Sequence, residues 1–126
     1  DEAKRNAVIK LLKRLKSKGT PIHAVGIQAH LWGDETNFNP KKVKDFFAQI
    51  ADMGLKILIT ELDVIDKDLP RNVQVRDRIV AKAYSDYLKV ALEEAAVVSF
   101  KPEKMMHLFV LYFLIQMASV NLLGML

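Results

Sequence analysis

ILITELDV, residues Ile57 to Val64, places two carboxylates directly after an apolar run of the kind that forms a buried strand. Side chains alternate between the two faces of a strand, so Glu61 and Asp63 are expected on the same face. Strict alternation also assigns to this face the apolar residues Leu55, Ile57 and Ile59. A desolvated carboxylate is costly unless it is paired or hydrogen-bonded. The two carboxylates therefore require polar partners on a neighbouring element.

A second apolar stretch contains such partners. IHAVGIQAHL, residues Ile22 to Leu31, is short, mostly apolar and bounded by turn residues, so it predicts another strand. Gln28 and His30 share one face of this strand. If the two strands are neighbours, the four polar side chains converge at the carboxyl end of one sheet, which is where α/β folds place their active sites.

Helical segments separate the predicted strands. Apolar residues recur at helical spacing in three segments. The first is residues 1–18, and the second begins after Asn39, an N-cap residue, with Pro40 in its first turn. The third follows the polar loop that ends near residue 72. The apolar positions are Ala7, Val8, Leu11, Leu12 and Leu15 in the first helix, Val43, Phe46, Phe47, Ile50 and Met53 in the second, and Val75, Ile79, Val80, Ala83, Tyr87, Leu88, Ala91 and Leu92 in the third. A third strand is predicted to start at Ala96. This repeating order of helices and strands predicts an α/β fold with a parallel sheet.

Three interpretations of the polar cluster remain open at this point. It is a buried set of hydrogen bonds that only fixes the sheet, or a divalent metal site built from His30 and the two carboxylates. The third interpretation is a catalytic carboxylate, Glu61, supported by His30 and Asp63. The absence of a closely spaced histidine pair argues against the metal site, and no metal or other cofactor is expected.

Composition restricts the class of protein. The chain has 126 residues, which fits one domain or part of one, and it contains no cysteine, so disulfides and thiolate metal sites are excluded. The net charge is +4, and many of the basic residues lie in the first predicted helix, where they alternate with apolar positions. This pattern favours a solvated helix face over a nucleic-acid contact. The chain has no signal segment and does not start with methionine, so it is expected to be a piece of something longer.

The segment from Met105 to Leu126 has a different character. It carries no charged residue and is about as long as the roughly 20 apolar residues that cross a bilayer. A largely helical segment that covers apolar surface of the fold is the favoured interpretation, and a membrane span is the alternative.

The two strand motifs together resemble glycoside hydrolase family 10, the retaining endo-1,4-β-xylanases built on a TIM barrel. GIQAHL at residues 26–31 and ILITELDV at residues 57–64 are similar to the sixth and seventh strands of that family. NPKKVKDFFAQIADMG and DKDLPRNVQVRDRIVAKAYSDYL are similar to the helical segments that follow those strands. The resemblance implies that residues 1–100 form an incomplete (β/α)8 barrel, from about helix five to the start of strand eight, followed by an atypical apolar tail over residues 101–126.

The resemblance also implies roles for the polar residues. Glu61 matches the catalytic nucleophile, His30 its hydrogen-bond donor, and Asp63 the support of that histidine. Gln28 matches a position beside the sugar next to the scissile bond. Trp32 is either a sugar platform or a loop anchor.

A retaining glycosidase needs a second carboxyl group about 5–5.5 Å from the nucleophile. In the family this acid/base glutamate lies on the fourth strand, before the region matched here. After Phe100 the sequence reads KPEKMM, where the family has a Trp-Gly pair that lines the sugar site.

The predicted function is therefore that of a retaining endo-1,4-β-xylanase, in a chain expected to be inactive alone. The alternatives are another β-glycanase of the same barrel type and a non-catalytic carbohydrate-binding or structural remnant. The expected partners are β-1,4-xylan or xylo-oligosaccharides and the missing N-terminal half of the barrel, with neither nucleic acid nor membrane among them. Family resemblance predicts a secreted, extracellular protein.

Overall fold

The computed structural model describes residues 1–33 and 38–102. Three helices alternate with strands in the order α1 (Glu2–Ser17), β1 (Ala24–Ile27), β2 (His30–Trp32), α2 (Pro40–Asp52), β3 (Lys56–Ile65), α3 (Val73–Leu92) and β4 (Val97–Pro102). Each strand that pairs with β3 runs parallel to it. The predicted α/β fold with a parallel sheet is confirmed.

Strand β3 is the centre of the sheet. β1 and β2 follow one another along β3, with Ala24 opposite Lys56 at one end and Trp32 opposite Ile65 at the other. β4 pairs with the same part of β3 as β1 does, beginning with Val97 opposite Ile57, so it must lie along the other edge. The carboxyl ends of β2 and β3 therefore lie side by side.

The prediction of one continuous strand from Ile22 to Leu31 is wrong. The strand is interrupted at Gln28 and Ala29, and Ala29 has a φ of 64°, in the left-handed region. Backbone hydrogen bonds nevertheless continue through the interruption, from the Glu61 N–H to the Gln28 carbonyl at 3.1 Å and from the Asp63 N–H to the Ala29 carbonyl at 3.4 Å. Trp32, which lies just outside the predicted strand, is instead the last residue of β2.

The predicted face of the two carboxylates is also wrong. Ile27 pairs with Ile59 and His30 pairs with Asp63, so β3 contains one residue more than its neighbour between these two pairs. An extra residue of this kind is a β-bulge, and it reverses the alternation of side chains beyond it. The pairing of β3 with β4 is likewise irregular in this interval.

Burial along β3 follows this reversal. The buried side chains of β3 are those of Ile57 and Ile59 before the bulge and of Leu62 and Val64 beyond it. These four residues belong to the same core cluster as the helices, so they define one helix-covered face. Asp63 alternates with the buried pair beyond the bulge, and it therefore lies on the opposite, open face.

The helices build the core on the covered face. α2 buries Val43, Phe47 and Ile50, which agrees with its predicted apolar stripe. In α1 the buried residues are Ile9 and Leu12, whereas Leu11, predicted to face the core, is 44% exposed. In α3 the core positions lie in the second half of the helix, and both predicted terminal positions, Val75 and Leu92, are exposed.

Local sequence signals set the ends of two helices. The side chain of Asn39 accepts a hydrogen bond from the backbone N–H of Lys42 at 3.1 Å, and Pro40 is the first residue of α2. Gly54 follows the helix with a φ of 74°, a conformation that favours glycine. Asn72 caps α3 in the same way, accepting from the Val75 N–H at 3.1 Å.

The predicted helical tail from Met105 to Leu126 lies outside the described residues. Within residues 1–33 and 38–102, no helix is long and apolar enough to cross a membrane.

Candidate active site

One histidine joins two carboxylates on the open face of the sheet. Nδ1 of His30 lies 2.7 Å from Oδ1 of Asp63, and Nε2 lies 3.3 Å from Oε2 of Glu61. The backbone creates this arrangement, because His30 is in direct register with Asp63 and the bulge turns Glu61 toward the same face. The expected convergence of His30, Glu61 and Asp63 is confirmed.

Gln28 completes the cluster from the interrupted part of the first strand. Its side-chain amide Nε2 lies 3.5 Å and 3.4 Å from the two carboxylate oxygens of Glu61. At these distances the amide is a weak donor to the carboxylate. Glu61 is therefore approached by an amide N–H donor and by an imidazole nitrogen.

The cluster is accessible. The side chains of His30, Glu61 and Asp63 are 35%, 41% and 18% exposed, respectively. Among the described residues, all the buried side chains that form the core are apolar or aromatic, and none is charged. The interpretation of the cluster as a buried element that only fixes the sheet does not fit this exposure.

Metal ligation was the second interpretation. In the part of the chain that the structure describes, no group of three or more His, Asp or Glu side chains is arranged to hold a metal ion. The two ring nitrogens of His30 are directed instead at Asp63 and Glu61.

Trp32 lies beyond the cluster at the end of β2. It pairs with Ile65, and its side chain is 48% exposed. The ammonium of Lys67 lies 5.1 Å from the centroid of the Trp32 ring, which is a cation–π contact. Sequence reasoning missed Lys67, because its proximity to Trp32 depends on the path of the loop between β3 and α3.

A buried tyrosine supports the other side of β3. Tyr84 of α3 is 1% exposed. The pKa of Tyr84 is raised to about 12, mainly by burial and to a smaller extent by the negative charge of Asp63, while a hydrogen bond with the Val64 backbone acts in the opposite direction. The spacing of α3 residues in the sequence did not single out Tyr84.

The family of the chain follows from comparison with known sequences. The sequence model of glycosyl hydrolase family 10 matches residues 1–101. The chain belongs to glycosyl hydrolase family 10. The incomplete (β/α)8 barrel implied by the sequence agrees with this membership, and the described strands and helices are one part of such a barrel.

Two relatives illustrate the similarity. A β-1,4-xylanase of Dictyoglomus thermophilum is 35% identical over 91 residues, which are 66% of this chain and 24% of the relative. The crystal structure of native xylanase 10B from Thermotoga maritima superposes with a TM-score of 0.71 at 29% identity, covering 79% of this chain and 30% of that one.

The structure of xylanase 10B from Thermotoga petrophila RKU-1, which contains xylobiose, gives the same TM-score, identity and coverage. The chain therefore spans less than a third of each of these relatives.

Proposed function

We propose that this chain carries the nucleophile side of a retaining endo-1,4-β-xylanase site, with Glu61 as nucleophile. The observation that supports this role is the position of His30 between Glu61 and Asp63, at 3.3 Å and 2.7 Å. His30 holds the Glu61 carboxylate in place and Asp63 holds the ring of His30. The ionised carboxylate is the form that attacks the anomeric carbon.

The proposed reaction has two steps. The Glu61 carboxylate attacks the anomeric carbon of a xylosyl unit, the glycosidic C–O bond breaks, and the leaving oxygen takes a proton from an acid. Water then attacks the glycosyl–Glu61 ester, transferring a proton to the same group, and releases the sugar with its configuration retained.

The acid/base carboxyl group comes from outside the described cluster. Asp63 is held by His30 and serves as support, so it does not act as the acid in this mechanism. In this proposal the acid/base carboxyl and the remaining sugar-binding surface belong to the other strands of the barrel, because the region matched here is only 24% of one relative and 30% of another.

Xylan or a xylo-oligosaccharide is the substrate proposed here. Two observations support it: the three relatives described above are named xylanases, and the Thermotoga petrophila structure contains xylobiose. Gln28 and Trp32 are the residues proposed to contact the sugar, Gln28 beside Glu61 and Trp32 further along the open face.

Hydrolysis of two substrates tests the proposal. The isolated chain should cleave an activated aryl xyloside slowly and polymeric xylan scarcely at all, because general acid assistance is typically worth about 10²–10⁴ in rate and an activated leaving group needs less of it. Glu61→Ala should abolish the aryl xyloside activity. Rapid, Glu61-dependent cleavage of polymeric xylan would show that a second carboxyl group within this chain, with Asp63 or Glu35 the first to test, completes the site. Activity that survives in Glu61→Ala would refute the assignment of the nucleophile.

A further inference from the structure

We propose that Trp32 and Lys67 form a binding site for a carboxylate-bearing sugar substituent, such as a uronic acid branch on the xylan chain. This inference rests on the proposed function, because it adds a specificity to the same site.

The register of the sheet places Trp32 beside the catalytic cluster. Trp32 follows His30 by two residues in β2, so its side chain projects from the same open face. Two residues of a strand span about 6.6 Å. A sugar chain that reaches Glu61 therefore has a neighbouring unit or branch within reach of the Trp32 ring.

Lys67 adds a positive charge to this aromatic surface. Its ammonium lies over the Trp32 ring at 5.1 Å, and within residues 1–33 and 38–102 it makes no ion pair. The two acidic neighbours in the same loop do not neutralise it there: Asp66 pairs with Arg76 at 3.7 Å, and Asp68 forms no ion pair with Lys67. The ammonium of Lys67 is therefore held in place by the uncharged ring of Trp32.

Packing of the loop keeps Lys67 over the ring. Gly33, the residue after Trp32, donates its N–H to the carbonyl of Ile65 at 3.1 Å. The side chain of Leu69 packs so closely on Gly33 that a Cβ added there would lie 2.6 Å from a Leu69 methyl carbon. The loop that carries Lys67 is therefore anchored on both sides of the residue, by the end of β3 and by Leu69.

The two side chains together match an acidic sugar. Lys67 covers one face of the ring, and Trp32 is still 48% exposed, which leaves aromatic surface for the apolar face of a pyranose. A carboxylate on a branch of that sugar can reach the ammonium around the edge of the ring. A cation–π contact at an exposed site is weak, so a carboxylate partner can add to it or replace it.

Binding measurements with matched oligosaccharides test this site. The probes are xylotetraose and xylotetraose carrying one glucuronic acid branch, titrated into the full chain. Trp32 is the sole tryptophan of the sequence, so its fluorescence reports the binding directly. Because an exposed ion pair contributes little, we expect the branched sugar to bind about two- to five-fold more tightly, and raised salt to reduce this preference.

Three variants separate the charge from other effects. Lys67→Met should abolish the preference and Lys67→Arg should keep it. Lys56→Met, which removes an exposed lysine from the opposite end of β3, should leave the preference unchanged.

Equal binding of the two sugars by the unmodified chain, or a preference that survives in Lys67→Met, would overturn this inference and leave the proposed function intact. If neither sugar binds, both this inference and the proposed function of the chain are wrong.

Discussion

Nδ1 of His30 lies 2.7 Å from Oδ1 of Asp63, and this contact orients the ring so that Nε2 faces Glu61. An ionised carboxylate can only accept hydrogen bonds, so Nδ1 donates to Asp63. Since Nε2 also faces a carboxylate, both nitrogens donate at once only when the ring carries two protons. In the proposed mechanism Asp63 therefore positions Glu61 through the ring of His30, without itself contacting the sugar.

The first prediction concerns covalent labelling of Glu61. A fluorosugar xyloside with an activated aryl leaving group should form a stable ester with this residue, because its departure needs no general acid. Peptide mass spectrometry of the chain after incubation should place the sugar on Glu61. Glu61→Gln, which keeps the shape of the side chain, should remain unlabelled. Labelling of Asp63 instead would contradict the assigned roles.

The second prediction concerns the support of His30. Asp63→Asn replaces a carboxylate with a neutral amide and releases the ring from its fixed orientation. We expect the rate of labelling at Glu61 to fall about 10²-fold, which is the scale of a small displacement of a catalytic group. Asp68→Asn removes a carboxylate from the nearby loop and should leave the rate unchanged. Equal rates in the Asp63 variant and the unmodified chain would show that Asp63 has no role in positioning.

The sequence predicted the helices and strands better than the register between the strands. Helix caps such as Asn39 and the apolar character of ILITELDV are local properties, and the structure confirms the elements they predict. The bulge in β3 is not local, because it exists only as a difference in residue count between β3 and its neighbour. Strict alternation therefore placed Glu61 and Asp63 on the wrong face.

The interruption at Ala29 was missed for a related reason. Alanine carries no signal for a left-handed conformation, which is usually occupied by glycine or asparagine. The apolar run on either side of it predicts an unbroken strand. The sequence did identify the members of the cluster, since His30, Gln28 and both carboxylates lie in the carboxyl-terminal halves of the two predicted strands. It could not find Lys67 without the path of its loop.

The third prediction concerns the backbone at Ala29. A left-handed conformation costs a residue with a Cβ roughly 1–2 kcal/mol, whereas glycine adopts it freely but loses about 0.5–1 kcal/mol through its flexible unfolded state. Ala29→Gly should therefore raise the free energy of unfolding by about 0.5–1 kcal/mol, as measured by urea denaturation. Ala29→Val, with a β-branched side chain, should lower it by at least about 1 kcal/mol.

Ala24 provides the control for this comparison. It lies in the regular part of β1, where glycine only weakens the strand, so Ala24→Gly should lower the free energy of unfolding by about 0.5–1 kcal/mol. The same substitution is thus expected to have opposite signs at the two positions. Destabilisation of equal size at both would show that the conformation of Ala29 is not strained.

The last prediction concerns alkaline unfolding and Tyr84. Its pKa is raised from 10 to about 12 in the folded protein, chiefly by burial and secondarily by the charge of Asp63. Below pH 10 the Tyr84 phenol is protonated in both the folded and the unfolded states, so its ionisation does not lower the free energy of unfolding there. Between pH 10 and about 12 the unfolded chain ionises first, which lowers the free energy of unfolding by about 2–3 kcal/mol over this range.

Tyr84→Phe isolates this contribution. The variant has no phenol at this position, and it retains Tyr87, whose pKa burial also raises. It should lose stability more gradually than the unmodified chain as the pH rises above 10, even if the lost hydroxyl lowers its stability at neutral pH. Urea denaturation of both proteins at several pH values measures the two slopes. Parallel slopes would mean that the Tyr84 phenol ionises as readily in the folded protein as in the unfolded chain, and that neither burial nor Asp63 holds its proton.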